Sequence, residues 1–143
     1  MWYQLYNIGF KDLNGGAWLV QVQGEDSLRA SVTLTAAADP LVWNNGGKGE
    51  IGDCVLGGTG YLRIRIEEET EAELRPGRLL PRSATDRRVV VTRNGAVVWL
   101  GFIQPQTFDQ DWVAAPYEIE LPIMDTVEVL KSLYIDDTDI VVA

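Results

Sequence analysis

The side chains of this sequence that could carry out chemistry are mainly carboxylates, because histidine is absent and cysteine occurs once, as Cys54. Histidine is the commonest general base and a frequent metal ligand, so the usual zinc sites and the Ser-His and Cys-His nucleophile pairs are excluded. Asp109 and Asp111 form an acid pair of the type that glycosidases use. Closeness in sequence does not place two carboxylates in one cleft, so a carboxylate enzyme stays only an open alternative.

Two glycine-rich motifs and one acidic motif resemble ligand loops without meeting their requirements. Residues 46–49, Gly-Gly-Lys-Gly, lack the Ser or Thr that follows the lysine of a phosphate-binding loop. Residues 58–60, Gly-Thr-Gly, precede a predicted strand, whereas the glycines of a dinucleotide-binding motif lie between a strand and a helix. The acids at 136, 137 and 139 lack the glycine and the distal glutamate of a calcium loop. We therefore expect no catalytic residue, no metal and no cofactor.

Charge is distributed unevenly along the 143 residues, whose net charge is −9. Residues 1–108 contain twelve acids and eleven bases, whereas residues 109–143 contain nine acids and one base, Lys131. Phosphate binding needs clustered cations, so we expect no specific nucleic-acid binding. The acidic last third could instead face a basic surface of a partner protein.

Residues 88–103 give the strongest structural prediction of the sequence. Two runs rich in β-branched residues flank Asn94-Gly95. Asn and Gly tolerate the positive φ that both central residues of a type I′ turn require, and this turn matches the twist of paired strands. The segment is therefore predicted to be a β-hairpin.

The rest of the chain is predicted to be mainly β-structure in one domain, residues 1–143. Further strands are predicted over residues 2–10, 17–23, 30–35, 61–67 and 117–121, and the first two are expected to pair as a hairpin. Alternation places Leu62, Ile64 and Ile66 on one side of the strand at 61–67, and Tyr117, Ile119 and Leu121 on one side of the strand at 117–121. Residues 41–43 form a short apolar piece, and residues 53–56 are predicted to be a short extended piece. Asp125 is a suitable N-cap with Glu128 three residues later, so one short helix is expected over residues 126–133. The fold class is accordingly mainly β, an antiparallel barrel or sandwich with a minor α component.

Aromatic residues are the best candidates for a contact surface. The chain has five tryptophans, and exposed aromatics often mark interfaces. Trp43 lies beside Asn44-Asn45-Gly46, and Trp112 lies in an acidic loop. The candidate interface residues are Trp43, Trp99, Phe108 and Trp112.

Targeting signals are not evident in the sequence. No apolar run approaches the roughly 20 residues that span a bilayer, and the first residues lack the basic start and apolar stretch of a signal peptide. We expect no membrane association and no secretion by a signal peptide.

The order of these features resembles the N-terminal region of phage or prophage tail proteins of the baseplate hub or tail-tip type. The resemblance extends from about residue 6 to residue 133, and its sharpest parts are residues 99–105, Trp-Leu-Gly-Phe-Ile-Gln-Pro, and residues 125–133. The other matching stretches are the Ala-Asp-Pro-Leu turn at 38–41 and residues 53–57, 61–66, 86–95 and 119–121. Such hub proteins are usually much longer, so this chain would be a fragment, a truncated product or the N-terminal module of a longer architecture.

The resemblance implies a β-domain of barrel character that packs into a ring connecting a tail tube to its tip. The partners would be further copies of the chain, in a trimer or hexamer, and other tail proteins. The location would be the virion tail, or the bacterial cytoplasm before assembly if a prophage encodes the chain.

The alternative to a tail protein is a carbohydrate- or ligand-binding β module that uses exposed tryptophans and the glycine-rich loops.

Overall fold

The computed structural model describes residues 1–25, 31–45, 58–67, 79–105 and 116–126. Within them the chain forms seven strands. They are β1 (Tyr3–Lys11), β2 (Ala17–Gly24), β3 (Val32–Asn45), β4 (Gly58–Ile66), β5 (Arg88–Arg93), β6 (Ala96–Ile103) and β7 (Tyr117–Asp125). The mainly β prediction is confirmed, and the architecture is a barrel.

The strands close into a barrel in the order β1-β2-β5-β6-β7-β4-β3. All neighbouring strands are antiparallel except β1 and β3, which run parallel and complete the closure. The predicted hairpin is confirmed as β5 and β6, with φ of 50° at Asn94 and 83° at Gly95. The N-terminal hairpin, β1 and β2, is confirmed as well.

Strand β3 differs from the prediction, which placed a strand over residues 30–35 and a separate short apolar piece at 41–43. The structure joins both into one strand of 14 residues. Its pairing with β4 is interrupted between Ala36 and Leu41, and Asp39 adopts a φ of 48° ahead of Pro40. Residues 37–40 of β3 lie opposite Arg63 alone, which makes a β-bulge, and aspartate is one of the few residues besides glycine that tolerate the positive φ found there.

The barrel interior is filled by side chains that alternate along the strands. Leu62, Ile64 and Ile66 of β4 are fully buried, while their neighbours Arg63 and Arg65 face outward, as the alternation predicted. On β7 the interior residues are Ile119, Leu121 and Ile123. Leu5 is an extra residue between the β1 pairs, and Leu5 and Tyr6 are both buried because this bulge changes the alternation.

One end of the barrel is covered by the segment that precedes β5. Leu79 and Arg87 are fully buried, and Leu79 belongs to the core cluster. The Arg87 carbonyl accepts a hydrogen bond from the Ile103 amide, and Gln104 donates to the Ala84 carbonyl. The segment therefore lies where β5 begins and β6 ends. The buried Arg87 guanidinium donates hydrogen bonds to the backbone carbonyl and the carboxylate of Asp86.

Two sequence predictions lie outside the described residues. The predicted helix is described only at Thr126, its first residue, and the extended piece predicted at residues 53–56 is not described. In the described ranges no helix is long and apolar enough to cross a membrane.

Candidate functional site

A small cleft lined mainly by aromatic side chains lies at the end of the barrel where β1 ends and β2 begins. It has a volume of about 220 Å³ and is lined by Phe10, Asp12, Trp18, Leu41 and Trp43. We call this set the aromatic cleft. Phe10 and Trp18 are cross-strand partners at the junction of β1 and β2, and Leu41 and Trp43 come from the last part of β3.

The aromatic rings of the cleft form a row in which Trp18 contacts Phe10 on one side and Trp43 on the other. Phe10 and Trp18 stack with ring centroids 5.9 Å apart and planes 5° apart. Trp43 packs against Trp18 at 6.1 Å and 52°, and 39% of Trp43 remains exposed. Offset and tilted ring pairs at such separations are favourable. Trp43 therefore presents the most accessible aromatic surface of the cleft.

Asp12 organises the turn beside the cleft. Its Oδ1 accepts hydrogen bonds from the backbone amides of Asn14 and Gly16, at 2.9 and 2.7 Å. Its Oδ2 accepts a bond from the Trp18 indole Nε1 at 3.0 Å. A side chain that bonds the backbone two residues on forms an Asx turn, and here the same carboxylate also orients the tryptophan ring.

Arg93 completes this arrangement from the end of β5. Its Nη2 and Nε donate to Asp12 Oδ2 at 3.0 and 3.2 Å, and its guanidinium lies 5.8 Å from the centre of the Trp18 ring. The neighbouring Asn94 Oδ1 accepts a bond from the Ala17 amide, so the β1–β2 and β5–β6 turns are tied together. The cleft wall is thus fixed by residues about 80 positions apart in sequence.

The pKa of Asp12 is lowered from 3.8 to about 2. The largest cause is the hydrogen bond from Trp18, followed by the amide of Gly16, while desolvation acts in the opposite direction and Arg93 and Asn14 add smaller contributions. The carboxylate is therefore ionised throughout the neutral range. Because a general base works best with a pKa near the working pH, Asp12 is better suited to positioning than to proton transfer.

Gly16 and Gly60 permit close approaches around the cleft. A Cβ on Gly16 would press against the Asp12 carboxylate and the Arg93 guanidinium. Gly60 pairs with Trp43, and a Cβ there would run into the backbone of Val42 and Trp43. Both positions therefore need glycine for the observed packing.

The structure describes two of the four predicted interface residues. Trp43 is partly exposed in the cleft, whereas Trp99 is half-buried, packs against the core and lies over Gly101. Phe108 and Trp112 lie outside the described residues. The structure does not bring Trp43 and Trp99 into one described cluster.

A second surface, on β6, was not singled out from the sequence. Val97, Val98 and Leu100 are 64%, 48% and 38% exposed, and we call these three residues the β6 face. In the described part of the chain, β6 pairs with β7 only through Gly101, Phe102 and Ile103. Along residues 96–100 the described pairing is with β5 alone, and Val98 is the extra residue of a bulge between the pairs Val91–Trp99 and Thr92–Val97.

Sequence reasoning also missed Phe10, Asp12 and Arg93 as parts of a site. A local signal existed for Asp12, because an aspartate followed by Leu-Asn-Gly-Gly is typical of an Asx turn. No local signal links Asp12 to Arg93, since the pairing of β2 with β5 brings them together.

No group of three or more potential metal-ligating side chains occurs among the described residues. No protein-family model, curated protein or solved structure matches the chain.

Proposed function

We propose that the chain is a structural protein of a phage-like tail, a baseplate hub, tail-tip or ring component that self-associates and docks to neighbouring tail proteins. The β6 face is the observation that carries this proposal. Three apolar side chains within four residues, Val97, Val98 and Leu100, are exposed on a strand that has one described neighbour along residues 96–100. Exposed apolar patches and unpaired strand edges are typical of protein contact sites.

The resemblance described above supports the tail context of the proposal, and it led us to expect a β-barrel. The closed seven-strand barrel is compatible with that expectation. A barrel suits a ring subunit because closure leaves few free edges, so association is confined to the remaining exposed surfaces.

Electron microscopy of the concentrated protein tests the proposal. We expect closed rings of three or six subunits. The double variant Val97→Thr/Val98→Thr should reduce the fraction of rings, because it removes apolar surface while keeping β-branched side chains on the strand. Val42→Thr is the matched control, since Val42 is also an exposed strand valine, 40% exposed, but lies outside the β6 face. A field of single subunits at every concentration would contradict self-association.

A second candidate function, a carbohydrate- or ligand-binding module, is favoured by one specific observation. Trp43 offers a partly exposed ring beside Trp18 in the aromatic cleft. If this function holds, titration with defined oligosaccharides should change tryptophan fluorescence saturably, and Trp43→Ala should abolish the change. A response that stays linear with each sugar would remove this candidate.

A further inference from the structure

The size of the aromatic cleft limits what it can hold. Pockets for small-molecule ligands usually have volumes of roughly 300–1,000 Å³, whereas the aromatic cleft has about 220 Å³. The cleft is therefore closer in size to one large side chain than to an oligosaccharide or a cofactor. Pockets of this kind receive the aromatic anchor residues of protein interfaces.

The hydrogen bonds of Asp12 further limit the kinds of ligand that the cleft can bind. The two oxygens of Asp12 already accept five hydrogen bonds, from Asn14, Gly16, Trp18 and two nitrogens of Arg93. A carboxylate has about four lone-pair sites, so Asp12 has no free acceptor for a ligand hydroxyl or cation. The cleft wall thus offers an incoming group aromatic faces rather than carboxylate oxygens.

Arg93 supplies a cation at the edge of the cleft. Its Nε and Nη2 donate to Asp12, and 42% of its side chain is exposed. A guanidinium has five N–H donors, and the negative charge of Asp12 is shared among four donor residues. Arg93 therefore retains donors and positive charge for a carboxylate on an incoming segment.

The sequence contains a segment of complementary chemistry. Residues 108–112 read Phe-Asp-Gln-Asp-Trp, so two acids immediately precede Trp112 in the acidic last third of the chain. We propose that the aromatic cleft binds Trp112 of a second copy of this chain, with Asp109 or Asp111 of that copy paired with Arg93. This inference rests on the self-association in the proposed function and assigns one of its contacts.

Calorimetric titration of a synthetic peptide spanning residues 106–115 tests the inference. The receptor is the full chain with Trp112→Ala, which removes the competing side chain. We expect saturable binding that weakens at least about tenfold when the tryptophan of the peptide becomes alanine, as for an interface anchor. Trp43→Ala in the receptor should weaken it by a similar factor, and Trp43→Phe by less.

Salt provides an independent readout of the ion pair. Raising the salt concentration from about 0.05 M to about 0.5 M should lower the affinity for the peptide severalfold, and Arg93→Gln should remove most of this salt dependence. Val42→Thr in the receptor is the control and should leave the peptide affinity unchanged. Thermal unfolding of each receptor variant verifies that the barrel is folded.

Three outcomes would overturn the inference. The first is no heat of binding at millimolar peptide, and the second is binding that Trp43→Ala leaves unchanged. The third is a wild-type chain that stays monomeric and does not bind the peptide, although the Trp112→Ala chain does bind it. In that case Trp112 would occupy the cleft of its own chain. Peptide binding that persists when the Val97→Thr/Val98→Thr variant loses its rings would separate this contact from the one made by the β6 face.

Discussion

At the scale of single residues, Asp12 connects the turn after β1 to the ring that lines the cleft. One carboxylate bonds the backbone of its own turn, the indole of Trp18 and the guanidinium of Arg93. Charge-assisted hydrogen bonds of this kind are stronger than neutral ones. Asp12 is therefore a positioning residue, and its protonation should be visible in the stability of the protein.

Substitution of Asp12 by asparagine tests this role through its pH dependence. Because the pKa is about 2 in the folded protein against 3.8 ordinarily, the ionised carboxylate favours the folded state above pH 3.8. That contribution is lost as the pH falls towards 2. Asp12→Asn should lower the free energy of unfolding at pH 6, and the difference from wild type should shrink below pH 4. Urea unfolding at a series of pH values measures this, and a constant difference would contradict the assignment.

At the scale of elements, the β5–β6 hairpin depends on the positive φ values in its turn. Gly95 has a φ of 83° and open space around its Cα, so an added methyl group would meet no neighbour. Gly95→Ala should therefore destabilise by about 1–2 kcal/mol through backbone strain alone. Gly9→Ala is the control, because a Cβ on this strand glycine makes only an ordinary contact. Chemical denaturation compares them, and equal stabilities would contradict the turn geometry.

The segment before β5, which covers the barrel where β5 begins and β6 ends, should contribute strongly to stability. Leu79 is fully buried in the core cluster. Leu79→Ala should lower the free energy of unfolding by about 2–5 kcal/mol, because it leaves a cavity in the core. The same change at Leu13, which is fully exposed, should alter it by less than about 0.5 kcal/mol. If both variants match wild type in urea unfolding, the segment does not cover the barrel in solution.

The sequence allowed prediction of the elements with strong local signals. Asn94-Gly95 indicated a hairpin, and the alternation in β4 and β7 indicated which side chains face the interior. The single long β3 was missed, because its bulge before Pro40 is stabilised by pairing with β4 on both sides. The aromatic cleft was missed for a related reason. Phe10, Trp18 and Trp43 meet only when β1, β2 and β3 are assembled.

At the scale of the whole molecule, charge is partly neutralised within the barrel. Glu118 and Glu120 of β7 pair in register with Arg65 and Arg63 of β4, and the Arg63–Glu120 ion pair spans 2.7 Å. The acidic character of the last third is therefore concentrated in its other acids. If those acids contact a basic surface of a neighbouring subunit, association should weaken as salt rises. Sedimentation at low and high salt measures this, and unchanged association would leave only the apolar contacts.

The proposed function requires that the chain associates with itself, and light scattering across a wide concentration range measures this. We expect the mass of the full chain to rise with concentration to that of three or six chains. The Val97→Thr/Val98→Thr variant should stay at a lower mass than wild type at equal concentration, whereas Val42→Thr should follow wild type. A mass of one chain at every concentration would show that the proposed self-association is wrong.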